Sequence, residues 1–286
     1  MYNRHYGFRE NPFNQTPDSS FFYPSPKHKA ALDALVYAIR ERKGFVVVTG
    51  EVGSGKTTVA RTLLRQIGSR AKTAVITNTH LTPKAILTLI LEDLGAAYEH
   101  GSKTELLIQL NEYLLSQARQ GEDVVLLIDE AQNLSRECLE EIRMLSNLET
   151  EKEKLIQIIL IGQPELKKKL EMVSLQQLRQ RIAVSYHLQA LSEVETREYI
   201  LHRLNLARAN GRDMNAIFDP LSFEVIYHYS QGLPRLVNKI CDHALLTGFV
   251  ENTAAITPCI VADAIEELEM KDGRRDRTDE QVYQSA

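Results

Sequence analysis

Apolar and polar residues follow two patterns along the chain, and the pattern changes near position 190. Before it, short unbroken apolar runs recur: Phe45-Val46-Val47-Val48, Thr73-Ala74-Val75-Ile76-Thr77, Val124-Val125-Leu126-Leu127-Ile128, LIQIILIG over 155–162, and 183–187. Their length and β-branching predict buried strands. Between them, apolar residues return at three- and four-residue spacing, as on one face of a helix. Ala31, Leu35, Ala38 and Ile39 mark a helix over 26–42 behind Ser25-Pro26, and Val59, Leu63, Leu64 and Ile67 mark one starting near Gly55. Thr82-Pro83 opens another to about 94, and Leu107, Leu110, Leu114 and Leu115 mark one over 104–120. This alternation predicts an α/β core.

Beyond Ala190 the pattern is helical only. Ser192 and Glu195 form a capping box for a helix to about Asn210, ended by Gly211. Asp219-Pro220 opens a helix that stops near Gly232. Gly232-Leu233-Pro234-Arg235 starts the next, with Leu236, Ile240, Ala244 and Leu245 inward, and Thr257-Pro258 caps a last helix to about Met270. The stretch 271–286 is polar, and disorder is expected there. The first 24 residues are rich in rings and prolines, among them Tyr2, Tyr6, Phe8, Pro12, Phe13, Pro17, Phe21, Phe22 and Tyr23. So many rings predict a segment tied down on a domain surface. The expected division is therefore 1–43 packed on the core, 44–189 as the α/β core, 190–270 as a helical domain, and 271–286 as a tail.

Composition narrows the class. Of 286 residues, 43% are hydrophobic and 25% charged, ordinary for a soluble globular protein. A net charge of −4 argues against a wholly basic nucleic-acid binder. Cys138, Cys241 and Cys259 are far apart and lack a C-x-x-C spacing, which predicts reduced thiols in a cytoplasmic protein. No apolar run approaches the ~20 residues that span a bilayer. The N-terminal stretch lacks the apolar region of a signal peptide.

The chemistry begins at Gly50. Gly50-Glu51-Val52-Gly53-Ser54-Gly55-Lys56-Thr57, followed by Thr58, fits G-x-x-x-x-G-K-[ST] at every position, between a strand and a helix. Glycines let successive N–H groups turn toward phosphate oxygens, and the helix N-terminus favours an anion. Lys56 is placed to reach β- and γ-phosphates, and the Thr57 hydroxyl to bind Mg²⁺. The rings at the N-terminus either pack plainly or also cover the adenine of the bound nucleotide. Asp129 and Glu130 end the most apolar strand. Asp129 is placed to hold the Mg²⁺ shell, and Glu130 to orient and deprotonate an attacking water. Asn78 also ends a strand, where it either faces the γ-phosphate or sits in a turn. Gln163, at the end of 155–162, either contacts the γ-phosphate or lytic water or is a loop glutamine. Lys167-Lys168-Lys169 reads as a solvated face. Arg179 and Arg181 precede the fifth strand, spaced so that only one readily faces a given partner.

The order of NPFNQTPDSSFFY, GEVGSGKTT, LLIDEAQNL, LIGQPEL, LRQRI and GLPRLVN resembles the AAA+ ATPases, and more closely still the ExeA (GspA) type of secretion ATPase. The resemblance covers almost all of residues 1–270. It implies a P-loop αβα fold with a five-stranded parallel sheet and a small helical lid, binding Mg²⁺ and ATP between subunits of a ring or filament. It implies that Asn78 can hold Glu130 away from the water, and that Gln163 takes the sensor-one place, where many AAA+ proteins have Asn. Arg181 then matches the trans-acting arginine finger, with Arg179 in reserve, and Arg235 the sensor-two arginine. Secretion proteins of this type carry a transmembrane segment and a periplasmic part after the ATPase; this sequence shows neither, so direct membrane insertion is not expected. The expected partner is a secretion or surface-assembly protein. The alternative is a DNA-bound transposition regulator resembling MuB and TnsC.

Overall fold

The computed structural model describes residues 2–16, 18–68, 71–151, 153–209 and 214–271. In chain order the elements are α1 (Tyr2–Tyr6), α2 (Pro26–Arg40), β1 (Phe45–Gly50), α3 (Lys56–Ile67), β2 (Ala71–Ile76), α4 (Pro83–Asp93), α5 (Lys103–Arg119), β3 (Asp123–Ile128), α6 (Arg136–Leu145), β4 (Gln157–Gly162), α7 (Pro164–Leu170), α8 (Gln176–Arg179), β5 (Ile182–Leu188), α9 (Glu193–Ala207), α10 (Pro220–Ser230), α11 (Pro234–Val250) and α12 (Pro258–Lys271). They form two compact units. One spans 26–189; the other combines 2–25 with the residues from 190 on.

The first unit is a five-stranded sheet in the order β2-β3-β4-β1-β5, with every pairing parallel. Burial follows the order. Central β1 and β4 are buried at every position, whereas edge strands β2 and β5 alternate. An unbroken apolar run is what a strand covered on both faces requires. On one face Val47, Leu126, Ile128, Ile158 and Leu160 join Ile86, Ile90, Leu110, Leu114 and Ile142 from α4, α5 and α6 in a single core. Helices α2 and α3 pack against β1. The register aligns Val48 with Ile161 and Ile128 with Leu160. The C-terminal ends of β3, β4 and β1 therefore emerge side by side, the usual place for a ligand in an open parallel sheet.

The second unit is helical around α9 to α12. Its core takes in Tyr6, Phe8, Phe13 and Phe21 alongside Ile200, Leu204, Phe218, Ile240, Leu245 and Val261. Here the structure corrects the expected division. Residues 2–25 pack within the helical unit instead of on the α/β core, because their rings fill its interior; 26–43 do belong to the α/β unit. The N-terminal stretch is also less irregular than expected, with α1 and a 3₁₀ turn at Ser19–Phe21 capped by Asp18.

Element edges shift by a few residues. The fourth strand starts at Gln157, and α9 ends at Ala207, short of Asn210. Helices α6, α7 and α8 are additional to those read from the sequence. Pro17, the Gly211 stop and the tail beyond Lys271 lie outside the described residues.

Candidate nucleotide site

The loop after β1 is shaped by its glycines. Gly53 and Gly55 have φ of 82° and 98°, in the left-handed region that L side chains rarely adopt. A Cβ on Gly50 would stand 2.7 Å from the Leu188 carbonyl oxygen. Behind the loop, His28 of α2 is buried, and its Nε2 lies 3.0 Å from the Ser54 carbonyl oxygen. Gly55 is the N-cap of α3, so the helix starts at Lys56.

Lys56 is buried. Its Nζ donates to the carbonyl oxygens of Gly50 and Glu51, each at 2.9 Å. Burial pushes its pKa below the ordinary lysine value, opposed by the carboxylates of Glu130, Asp129, Glu51 and Glu165. The loop thus holds a desolvated amine whose bonds go to neutral carbonyls, while the surrounding carboxylates favour its charged form.

At the end of β3, the Thr57 hydroxyl donates to Asp129 Oδ2 at 2.9 Å, and the Glu130 N–H donates to Asp129 Oδ1 at 2.9 Å. Asp129 N–H donates to the Ile76 carbonyl, tying the β3 end to β2. Glu130 has φ = 51°, a left-handed backbone in a residue with a side chain. Such strain costs about 1–3 kcal/mol and concentrates at functional sites. It breaks the strand direction and starts a 3₁₀ turn at Ala131–Asn133. Glu130 Oε2 accepts from Gln132 Nε2 at 2.6 Å and from Gln163 Nε2 at 3.1 Å.

The structure thus brings Lys56, Thr57, Asp129, Glu130 and Gln163 to adjacent strand ends. Asn78 is placed differently: it is exposed, and its Oδ1 accepts from the His80 N–H at 3.3 Å, the turn geometry. Its neighbour Thr79 is the residue that donates to the Glu130 carbonyl, at 3.3 Å. Arg181 is half-buried, donating from Nη1 to Ser146 Oγ at 2.9 Å, whereas Arg179 is exposed. Arg235 is exposed in the first turn of α11, in the helical unit.

Two participants escaped the sequence reading. Gln132 stands inside LLIDEAQNL, two positions past Glu130, and that spacing was the available signal; nothing in the sequence singles out His28. The lysine triplet also needs correcting. Lys167 and Lys168 are exposed, but Lys169 Nζ donates to the Gln132 and Leu134 carbonyls at 2.6 and 2.7 Å, so it caps this loop instead of joining a solvated face.

The residues present fit a Mg²⁺-nucleotide. Ser54 Oγ is buried with no hydrogen-bond partner among the described residues, a polar atom inside an anion loop. Thr57 and Asp129 offer the hard oxygens Mg²⁺ takes, which it typically combines with phosphate oxygens and water.

Comparison with known proteins agrees with this geometry. A family profile described as an AAA domain matches residues 39–170. General secretion pathway protein A of Aeromonas hydrophila is 40% identical over 257 residues, covering 90% of this chain. The chain spans 46% of that relative's length. Among solved structures, the Aeropyrum pernix ORC2 protein in its ADPNP-ADP complexes superposes with a TM-score of 0.67 at 18% identity, covering 91% of this chain and 72% of that one. The Thermotoga maritima RuvB Holliday junction branch migration motor gives a TM-score of 0.60 at 18% identity, covering 90% and 74%. At these identities the two structures show a shared fold. No helix among the described residues is long and apolar enough to cross a membrane.

Proposed function

We infer, from its place among the AAA P-loop ATPases as a relative of General secretion pathway protein A, that this chain binds Mg-ATP and hydrolyses it at the subunit interfaces of a nucleotide-dependent ring or filament. That cycle drives or regulates assembly of a secretion or cell-surface machine from the cytoplasmic side. The observation that carries the hydrolytic reading is the Thr57–Asp129 hydrogen bond at 2.9 Å, with Glu130 next along the same strand end.

In this reading the backbone from Gly50 to Thr58 holds the phosphates. Lys56 exchanges its two carbonyl partners for phosphate oxygens. Thr57 and Asp129 hold the metal, which when bound neutralises charge on the β- and γ-phosphates. Glu130 takes the proton of the attacking water. Gln163 steadies that water or the γ-phosphate, and Asn78 can draw Glu130 aside only after its side chain releases the His80 N–H. An arginine of the neighbouring subunit completes the site. Arg181 must release Ser146 to serve there, whereas Arg179 is already exposed. Arg235 contributes from the lid. Among the described residues the basic run that would serve the duplex-DNA alternative is reduced to Lys167 and Lys168, since Lys169 is committed to the Gln132 and Leu134 carbonyls.

Glu130→Gln should bind nucleotide normally and lose about 10²- to 10⁴-fold in turnover, the usual contribution of a general base. Sedimentation with a non-hydrolysable ATP analogue should show an assembly larger than the nucleotide-free form. Arg181→Ala and Arg179→Ala proteins, each mixed with Glu130→Gln, identify the finger by recovery of activity in the mixed assembly. Full turnover in Glu130→Gln removes the base assignment, and assembly indifferent to the analogue removes the interface.

A further inference from the structure

We propose that Gln132 is a positioning residue for hydrolysis, a bridge that locks the Glu130 carboxylate to the end of β4 and leaves one of its oxygens for the water. The proposal rests on the reading of Glu130 as the base.

Three hydrogen bonds close a triangle. Gln132 Nε2 donates to Glu130 Oε2 at 2.6 Å, Gln132 Oε1 accepts from the Gln163 backbone N–H at 3.1 Å, and Gln163 Nε2 donates to that same Oε2 at 3.1 Å. Both amide donors therefore fall on one carboxylate oxygen. Fixing Oε2 sets the rotation of the carboxylate and turns Oε1 toward its own task. A single donor would leave the carboxylate free to pivot about that bond.

Two further features hold Gln132 in place. Gly162 ends β4 beside it, and a Cβ there would stand 2.7 Å from Gln132 Oε1, so a residue without a side chain is what admits the amide. Lys169 Nζ clamps the backbone on either side of Asn133, through the carbonyls of Gln132 and Leu134. The left-handed Glu130 backbone starts the 3₁₀ turn that carries Gln132. Because Gln132 joins the Gln163 backbone to the Glu130 side chain, displacement at the end of β4 is felt directly by the carboxylate.

Two length-matched variants of the full chain separate the bonds. Gln132→Met removes donor and acceptor; Gln132→Glu keeps an acceptor for Gln163 N–H but loses the donor to Glu130. Turnover should fall roughly 10- to 100-fold in both, with the affinity for a fluorescent ATP analogue unchanged, as for a misplaced reacting group. In nucleotide-free protein, hydrogen exchange at the Gln163 backbone amide should speed up about tenfold in Gln132→Met and stay slow in Gln132→Glu. Melting curves check folding, and the Glu variant carries the test if the Met variant is unfolded. Wild-type or faster turnover in a folded variant, or unchanged Gln163 protection in folded Gln132→Met, overturns the bridge. Glu130→Gln, run alongside, separates the two failures. If it is inactive while Gln132→Met is fully active, the bridge alone fails; if it still turns over, the base reading fails and the proposal with it.

Discussion

Lys56 and Arg203 are both buried cations, one in each compact unit, and they are held in opposite ways. Arg203, on α9, is held through all three of its nitrogens. Its Nε donates to the Pro12 carbonyl, Nη1 to Tyr199 Oη at 2.8 Å and Nη2 to the Asn14 carbonyl at 3.4 Å. Its guanidinium also lies 4.9 Å from the centre of the Phe21 ring and 5.6 Å from that of Tyr199. A planar fork spent on fixed carbonyls and rings is a structural fastener, and it fastens residues 12–14 to the helical unit. Lys56 makes two bonds, both to carbonyls of its own loop. A point charge on a flexible stem can trade those carbonyls for an anion. Burial alone therefore does not mark a functional cation. The distinction lies in whether its partners can be exchanged.

The largest expected effect breaks the comparison at Lys56. Lys56→Met should lower nucleotide affinity roughly a hundredfold or more, the range for losing one partner of a desolvated charge contact. The nucleotide-free variant should melt no lower than wild type, since a desolvated charge is removed along with two local bonds. Arg203→Met should do the reverse. It strands partners of the N-terminal segment, so stability should fall by about 2–3 kcal/mol in denaturant titrations, while nucleotide affinity holds. Should Lys56→Met collapse the fold and Arg203→Met leave it intact, the assignment of roles is inverted. Lys169 is the intermediate case: half-buried and capping two carbonyls of its own unit. Lys169→Met should cost about 1 kcal/mol by the same measurement, and a larger loss would place it with Arg203.

How far each cation could be read from the sequence follows the same divide. Lys56 was legible because everything that defines it is local: glycine spacing, a strand before and a helix after. Asp129 and Glu130 were legible for the same reason, ending the run Val124 to Ile128. The central strands were legible because both faces are covered, which leaves an unbroken apolar signature. Arg203 was not, because its partners lie near position 13, about 190 residues away, and nothing in α9 reveals them. The same distance hid the place of residues 2–25. Their rings announced packing but could not say against which unit. Gln132 depends on β3 and β4 being neighbours, a fact of strand order and not of spacing. Helix α6 was within reach of sequence alone: Ser135 caps it, and Cys138, Leu139, Ile142 and Leu145 form its buried stripe.

The smallest effect sharpens the picture around Arg203, through its neighbour His202. Burial pushes the His202 pKa below its ordinary value; the Arg203 charge adds to the shift, and a backbone hydrogen bond to Phe22 opposes it. His202 Nε2 is buried with no hydrogen-bond partner among the described residues, so protonation would place an unpaired N–H there. A histidine whose folded pKa lies below its unfolded value takes up protons more readily in the unfolded chain. Its stabilising contribution is thus fully present above the ordinary histidine value of about 6.5 and is lost as pH falls through the depressed one. Wild type should therefore lose stability below that point more steeply than His202→Gln, which has no titrating ring. In Arg203→Met the acid loss attributable to His202 should shrink, because one cause of the depression is gone. Denaturant midpoints from pH 7.5 down to 5 (a range set by the ~6.5 reference) for these proteins and the double variant would measure it. Parallel curves for wild type and His202→Gln would show that His202 charges as easily in the folded chain as in the unfolded one, and that the surroundings of Arg203 tolerate a second cation.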